Sequence, residues 1–173
     1  QICIRHRIPT LLQEKNSYAG VTNKLLAKRA RRICVAYDNM QRFFPADRIL
    51  LTGNPVRQNL LHTKLTPEEA RKSLGLRPDV KTILVIGGSL GARTLNESVL
   101  SERVHLEAHP EVQILWQTGG YYKDAIAERL KTEGQPDNLV VTDFVTDMGA
   151  AYAAADLVIS RAGASSISEL ALL

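Results

Sequence analysis

The sequence predicts an α/β fold with parallel sheets. Short apolar runs alternate with helical patterns from residue 66 onward, which is typical of a doubly wound sheet. A glycine-rich turn at residues 87–91 follows directly after the first of these runs. Charge is unevenly distributed, because residues 1–57 hold 11 Lys and Arg against 3 Asp and Glu, whereas the other 116 residues hold 11 against 15. We therefore expect two structural units with different partners.

Composition narrows the class of protein. Of the 173 residues, 45% are hydrophobic and 23% are charged, which is typical of a globular chain and not of a disordered one. Cys3 and Cys34 lie far apart and outside any Cys-x-x-Cys pattern, so neither a disulfide scaffold nor a zinc site is predicted. The least charged stretch, residues 148–160, is too short to span a bilayer and carries Asp156. These features predict a soluble protein without a metal or cofactor.

The basic first unit, residues 1–57, has few regular patterns. We predict short strands at residues 8–12, 33–36 and 49–52, and a helix at residues 17–34. Basic and apolar side chains occupy opposite faces of that helix. The basic face comprises Lys24, Lys28, Arg31 and Arg32, and the apolar face comprises Leu26, Ala30 and Ile33. A basic face of this kind is either simply solvated or attracted to an anionic surface.

The second unit, residues 58–173, follows a chain break at Gly53, Asn54 and Pro55. Thr66 is the expected N-cap of a helix that begins at Pro67 and runs to residue 74. Strands are then predicted at residues 82–86, 112–117, 139–142 and 157–160, and helices at 92–108, 122–133, 148–154 and from Ser166. The chain lacks an initiator Met and stops within a helix, so we expect a piece of a longer protein.

The glycine turn is a candidate phosphate site. Gly87, Gly88 and Gly91 let the backbone approach a ligand closely, and Ser89 adds a hydroxyl beside the start of a helix. The spacing differs from the Gly-x-Gly-x-x-Gly dinucleotide pattern, and no lysine follows as in a P-loop, so NAD and ATP are weak interpretations. The alternative is a strand-to-helix turn without a ligand.

Three further loops are ambiguous on their own. Asn16 could bond a sugar amide or hydroxyl, or it could cap the next helix together with Ser17. Arg57 could reach a base or phosphate with its planar guanidinium, or it could be solvated. The backbone at Val145 could pair with a base edge, or the loop could only supply Asp147 as an N-cap.

The last loop runs from the strand at 157–160 into a helix. Its backbone N–H groups could meet a diphosphate, and Glu169 could bind both hydroxyls of a ribose. The residues concerned are Ala164, Ser165, Ser166, Ile167, Ser168 and Glu169. The alternative is structural, because Ser166 and Glu169 have the spacing of a capping box.

Together these loops resemble one family, the MurG-type N-acetylglucosaminyltransferases of peptidoglycan synthesis. Five motifs recur in the family's order: Glu-x-Asn-Ser-x-Ala-Gly-x-Thr-Asn-Lys, Gly-Asn-Pro-Val-Arg, Gly-Gly-Ser-x-Gly-Ala-Arg-x-Leu-Asn, Asp-Met-x-x-x-Tyr-x-x-Ala-Asp and Arg-x-Gly-Ala-x-x-x-x-Glu. The resemblance covers residues 8–173. It departs from the family at Lys15 and Leu90, where many members have glutamine.

The resemblance implies a GT-B fold, in which two Rossmann-like domains with parallel sheets face each other. This chain would hold the end of the N-terminal domain and the first part of the C-terminal domain. The implied reaction moves GlcNAc from UDP-GlcNAc to the MurNAc of undecaprenyl-linked lipid I, with inversion and without a metal or cofactor. The product is lipid II. The implied location is peripheral, on the cytoplasmic face of the bacterial inner membrane, where the basic helix would meet the anionic membrane surface.

The resemblance also implies residue roles. Asn16 would contact the GlcNAc moiety, Arg57 the nucleotide at the hinge, and Ser89 the phosphate. The backbone of Val145 would read uracil, and Glu169 would bind the ribose as part of the 164–169 loop. The catalytic base is expected before Gln1, so we assign none within this chain.

Rival interpretations remain open at this point. The chain could be an inactive fragment that binds UDP only, or part of another UDP-sugar enzyme such as a glycolipid synthase or a UDP-GlcNAc 2-epimerase. Nucleic-acid binding is not expected, because aromatic stacking residues do not interleave with the basic ones. His105 and His109 are spaced i, i+4 but lack further ligands, which favours a solvated helix end over a metal pair.

Overall fold

The computed structural model describes residues 2–6, 8–58, 60 and 63–173. Two compact units divide the chain. The first comprises Gln1–Val56 with Gly163–Leu172, and the second comprises Arg57–Ala162 with Leu173. The first unit therefore includes a late segment, and the domain division at residues 57 and 58 stays a prediction.

Both units are built from parallel strands and helices, as predicted. The strands are β1 (Leu11–Glu14), β2 (Arg32–Val35), β3 (Ile49–Leu51), β4 (Lys81–Ile86), β5 (Val112–Gln117), β6 (Leu139–Thr142) and β7 (Leu157–Ser160). The α-helices are α1 (Ile2–Arg5), α2 (Val21–Ala27), α3 (Pro67–Ser73), α4 (Arg93–Leu106), α5 (Lys123–Glu133), α6 (Met148–Ala154) and α7 (Ala164–Leu170). Short 3-10 turns cover Met40–Arg42 and Ala46–Arg48.

The first unit contains a parallel sheet in the order β1-β2-β3. Its core includes Ile33, Val35 and Met40, none of which is more than 1% exposed. The long helix predicted at residues 17–34 is wrong, because α2 ends at Ala27. The chain turns there and Arg32 enters β2, where the apolar run that follows it pairs with β1. Burial of that run in a sheet outweighs the helical period on which the prediction relied.

That shorter helix also breaks up the predicted basic face. Lys24 lies on α2, but Lys28 is its C-cap and Arg32 lies on a strand. Lys24 Nζ lies 4.1 Å from the ring centroid of Tyr18 and 4.6 Å from that of Phe43. The basic residues are therefore grouped at one end of α2 and its following turn, and they do not form a stripe along a helix.

The second unit contains a parallel sheet in the order β6-β5-β4-β7. The chain first adds strands on one side of β4 and then returns to add β7 on the other side. In sheets of this kind the order reverses between β4 and β7, and ligands bind outside the carboxyl ends of the strands at such a reversal. The turn at residues 87–91 leaves β4 at this position.

Most predicted elements of the second unit are confirmed. Strands β5, β6 and β7 and helix α6 have the predicted bounds. Helix α3 begins with a reciprocal capping box, in which the Thr66 side chain accepts from the Glu69 N–H and the Glu69 side chain accepts from the Thr66 N–H. The core behind the sheet is apolar and includes Trp116, which is fully buried.

Asp156 joins β7 to the start of β4. Its carboxylate accepts hydrogen bonds from Arg71 Nη2, Lys81 Nζ and the Thr82 N–H, each at 2.8 Å. Burial alone would raise the pKa of Asp156, but the hydrogen bonds from Lys81 and Thr82 and the nearby Arg71 lower it below its ordinary value. This ionised carboxylate helps to keep β7 beside β4, and it thereby maintains the reversal at which the glycine turn lies.

Candidate functional site

The glycine loop, residues 87–91, has the tight backbone that the sequence predicts. Gly88 and Gly91 have φ angles of 87° and 84°, a region that favours glycine. A Cβ on Gly87 would lie 2.5 Å from the backbone nitrogen of Ala92, so this position also requires glycine. The Gly91 N–H donates to the Gly88 carbonyl at 2.9 Å, which closes the turn. Ser89 is exposed at the tip, shortly before α4 begins.

Helix α4 begins without a side-chain cap. Its N-cap is Ala92, which makes no side-chain hydrogen bond to the first turn. Unpaired N–H groups and the positive end of the helix dipole therefore lie next to the glycine loop. This combination is suited to an anionic group such as a phosphate.

A second glycine pair supports the glycine loop from the end of β5. Gly119 has a φ angle of 84° and packs against the Gly91 backbone so closely that a Cβ would overlap it. The Gly120 N–H donates to the Ser89 carbonyl at 3.2 Å. The buried Asn96 side chain donates to the Thr118 carbonyl at 2.9 Å, which holds this support against α4. Sequence reasoning missed this pair, although two adjacent glycines after a strand were a visible signal.

Val145, whose backbone is the candidate contact for a nucleobase, lies in another loop at the same edge of the sheet. This loop, residues 143–147, follows β6 and is called the Val145 loop below. Val145 is 4% exposed, and its N–H donates to Gln117 Oε1 at 3.0 Å. The other end of the same amide donates from Gln117 Nε2 to the Gly88 carbonyl at 2.9 Å. Gln117 thus bridges the two loops, a role that sequence reasoning missed.

Asp147 caps helix α6, as the structural interpretation of this loop expected. Its side chain accepts from the Ala150 N–H at 3.0 Å. The cap and the Gln117 bridge both shape the same short loop. Recognition of a nucleobase by the Val145 backbone stays a prediction. While the Val145 N–H is bonded to Gln117, the Val145 carbonyl is the backbone group that would contact the nucleobase.

In the first unit, Glu14 organises the loop that carries Asn16. Its carboxylate is 2% exposed and accepts from the Asn16 N–H (3.1 Å), Asn16 Nδ2 (3.2 Å), the Gly20 N–H (2.9 Å) and Asn23 Nδ2 (3.0 Å). Burial alone would raise the pKa of Glu14, but the hydrogen bonds from Asn23, Gly20 and Asn16 together lower it. Glu14 is therefore an ionised, buried anchor.

Asn16 does not cap a helix. The N-cap of α2 is Gly20, which makes no side-chain cap bond, so the capping interpretation of Asn16 and Ser17 is wrong. The reason is that the chain makes a carboxylate-centred turn before the helix starts. Because the Asn16 Nδ2 group is bonded to Glu14, its carbonyl oxygen is the end of the amide available to a ligand.

Asn54 connects this loop with helix α7 inside the first unit. Its Nδ2 group donates to the Lys15 carbonyl at 3.2 Å and to Ser168 Oγ at 2.9 Å. Lys15 Nζ also donates to Ser165 Oγ at 3.3 Å. Asn54 Oδ1 is buried and has no hydrogen-bond partner among the described residues, which makes it a candidate ligand contact. In the Gly-Asn-Pro-Val-Arg motif, sequence reasoning considered Arg57 as a ligand contact and missed Asn54.

Helix α7 begins two residues earlier than predicted. Its N-cap is Gly163, and Ser166 lies inside the first turn, so the capping-box interpretation of Ser166 and Glu169 is wrong. Glu169 is 6% exposed. The structure thus brings Ser165 and Ser168 to the Asn16 loop. The remaining predicted site residues of this helix are Ala164, Ser166 and Ile167, and their roles stay predictions.

Arg57 belongs to the second unit and is exposed. Its nucleotide role also stays a prediction.

Among the described residues, no group of three His, Cys, Asp or Glu side chains could hold a metal ion. His109 Nδ1 lies 3.0 Å from Glu111 Oε1 at an exposed position, which agrees with a solvated helix end. No helix in the described part of the chain has the length and apolar character to cross a bilayer.

The fold and the loops define a class of protein, the open parallel α/β proteins, in which ligands bind outside the carboxyl ends of the strands. Residues 82–173 match the glycosyltransferase family 28 C-terminal domain, and the chain belongs to this family. The crystal structure of Acinetobacter baumannii MurG is 32% identical, with a TM-score of 0.56 over 98% of this chain and 45% of that one. Anabaena HepE in complex with UDP and glucose shares the fold at 15% identity, with a TM-score of 0.55 over 90% of this chain and 47% of that one.

Curated relatives are more similar in sequence. A Bacteroides fragilis protein is 61% identical over 166 residues, which is 96% of this chain and 44% of the relative. A Bacteroides thetaiotaomicron protein is 59% identical over 168 residues, which is 96% of this chain and 45% of the relative. Both are named UDP-N-acetylglucosamine--N-acetylmuramyl-(pentapeptide) pyrophosphoryl-undecaprenol N-acetylglucosamine transferase. The chain spans about half the length of the curated relatives it matches.

Proposed function

We propose that this chain carries the UDP-GlcNAc-binding part of a glycosyltransferase that transfers GlcNAc to the MurNAc of lipid I. The observation that carries the proposal is the glycine loop, which lies where the strand order reverses between β4 and β7. The chain is also 61% identical to a protein named as an N-acetylglucosamine transferase. The loop supplies backbone N–H groups and Ser89, and these suit the diphosphate of a sugar nucleotide. The neighbouring Val145 loop would receive the uracil.

The proposed reaction displaces UDP directly. The hydroxyl oxygen of MurNAc attacks the anomeric carbon of GlcNAc, the bond from that carbon to the diphosphate oxygen breaks, and the configuration inverts. The hydroxyl proton passes to a base, to which we assign no residue of this chain. The negative charge that develops on the leaving UDP would be stabilised by the glycine loop and the start of α4.

On the sugar side, the proposal uses the Asn16 loop. Asn16 would accept a hydrogen bond from the GlcNAc moiety through its carbonyl oxygen, since Glu14 occupies its Nδ2 group. Arg57 would contact the nucleotide, and Glu169 would bind the ribose. Identity of 59–61% to two proteins named as GlcNAc transferases favours this reaction over that of a glycolipid synthase or an epimerase.

Replacing Ser89 with alanine should lower the affinity for UDP-GlcNAc about tenfold, because one hydrogen bond to a charged phosphate is lost. Isothermal titration calorimetry of the 173-residue chain measures the change. The matched control is Ser101→Ala, which removes a hydroxyl that bonds only within α4. Absence of UDP-GlcNAc binding by the wild-type chain, or preference for ADP over UDP, would overturn the proposal. Transfer of labelled GlcNAc to lipid I tests the reaction itself.

We also propose that α2 meets the anionic inner-membrane surface. Val21 and Leu25 are each 73% exposed on this helix, and Tyr18 next to it is 68% exposed. Exposed basic side chains follow directly, at Lys28 and Arg29. Apolar residues that enter the interface beside cations that meet lipid phosphates are typical of peripheral membrane binding.

Loss of these charges should reduce sedimentation with anionic vesicles. We expect the triple variant Lys28→Ala, Arg29→Ala, Arg31→Ala to bind phosphatidylglycerol vesicles at least tenfold more weakly, at about 1 kcal/mol per cation. The control removes three exposed lysines of the second unit instead, with Lys64, Lys72 and Lys131 changed to alanine. Equal losses in both variants would contradict a specific surface and indicate a dependence on net charge alone.

A further inference from the structure

Gln117 occupies a special position at the carboxyl edge of the second sheet. It is the last residue of β5, the strand between β4 and β6, and it pairs with Ile86 on one side and Thr142 on the other. The glycine loop leaves the first of these strands, and the Val145 loop leaves the second. A side chain at this point is therefore within reach of both loops.

Both ends of the Gln117 amide are used. Oε1 accepts from the Val145 N–H at 3.0 Å, and Nε2 donates to the Gly88 carbonyl at 2.9 Å. The residue is only 4% exposed, so water does not readily replace either bond. An amide is the side-chain group that can accept from one loop and donate to the other over this distance. Glutamate would accept at both ends, and leucine would do neither.

We propose that Gln117 is a positioning residue that holds the glycine loop and the Val145 loop in the single relative arrangement that UDP requires. The inference rests on the proposed function, because it takes these loops as the phosphate and base contacts. Two contacts on one ligand reinforce each other only when their spacing is fixed before binding. Gln117 would therefore act on the joint affinity for base and diphosphate more than on either part alone.

Gln113 offers a matched control on the same strand. It is 2% exposed, and its side chain is also fully bonded, to the Arg77 N–H and carbonyl and to Thr82 Oγ1. It lies near the amino end of β5, four residues before Gln117 and away from both loops. Gln113→Leu thus removes a comparable buried amide without touching the proposed coupling.

The first measurement needs no ligand. Amide hydrogen exchange of the full 173-residue chain should show faster exchange at Val145 and Gly91 in Gln117→Leu, with both unchanged in Gln113→Leu. In Gln117→Glu, Val145 should stay protected, because a carboxyl oxygen can accept from its N–H as Gln117 Oε1 does. Wild-type exchange at both loops in Gln117→Leu would overturn the inference.

The second measurement is nucleotide affinity. Gln117→Leu should bind UDP about tenfold to a hundredfold more weakly, because two buried hydrogen bonds are lost. The loss for uridine should be smaller, because uridine lacks the diphosphate and uses only the base contact. Gln113→Leu should bind UDP as the wild type does in its folded fraction, although it is less stable. Equal weakening by both variants would mean a general structural effect and would overturn the inference. A wild-type chain without UDP affinity would overturn the proposed function, whereas wild-type affinity retained in Gln117→Leu would overturn only this inference.

Discussion

Replacing Gly91 with alanine is expected to destabilise the second unit by about 2–5 kcal/mol, from a left-handed backbone that disfavours a Cβ and from overpacking. The added Cβ would overlap the Thr118 carbonyl and lie 2.9 Å from Tyr122 Cδ2. Neither neighbour can move easily, because the Thr118 carbonyl is bonded to the buried Asn96 side chain. The glycine loop should therefore be displaced, and binding of UDP should be lost together with stability.

Trp116 provides the measurement for this variant. It is the sole tryptophan and is fully buried in the second unit, so its fluorescence during urea unfolding reports on that unit. Gly75→Ala is the control, because Gly75 has a φ angle of 72° but open space around its Cβ position. We expect a loss of about 1 kcal/mol from the left-handed backbone conformation alone. If Gly91→Ala lost no more stability than Gly75→Ala, the close packing of the two glycine turns would be refuted.

Replacing Glu14 with glutamine should destabilise the first unit by about 3 kcal/mol or more, since hydrogen bonds to a buried charge are lost and an amide donor faces other donors. Asn16 would also lose the partner that orients its amide. Cys34 is a free, buried thiol on β2, so its rate of modification by a thiol reagent reports on opening of this unit. We expect modification to become about a hundredfold faster.

The same variant predicts a pH dependence. The folded-state pKa of Glu14 is lowered, so its contribution is fully present above the ordinary pKa of about 4.3 and is lost as pH falls through the lower folded value. The stability difference between the wild type and Glu14→Gln should therefore shrink below about pH 4 in urea unfolding followed by circular dichroism. Asp47→Asn, which removes an exposed carboxylate 3.9 Å from Arg48, should change little. A difference that stayed constant with pH would contradict an ionised Glu14.

Local patterns were sufficient for most of the second unit. Strand β5 and helix α6 begin and end at the predicted residues, because each is a periodic run bounded by turn residues. The N-cap at Thr66 was predictable for the same reason, since the N–H from which its side chain accepts lies only three residues further on. The largest failures were at α2 and α7, where a helical period or a capping pattern competed with strand pairing and with an earlier helix start. Strand β1 also begins three residues later than predicted.

The candidate site shows the same difference between what adjacent residues reveal and what contacts between distant segments decide. Its chemistry was readable from the sequence, because the glycine loop, Ser89 and the family motifs are contiguous segments whose residue types limit what they can bind. Its geometry was not, because Gln117 meets Val145 and Gly88 only after the strands assemble in the order β6-β5-β4. Glu14 likewise collects donors from three positions that a turn brings together. The sequence by itself determined the fold class and the family, and the tertiary structure alone decided which polar side chains hold the binding loops in place, because hydrogen bonds between segments depend on strand order and burial, which no local pattern encodes.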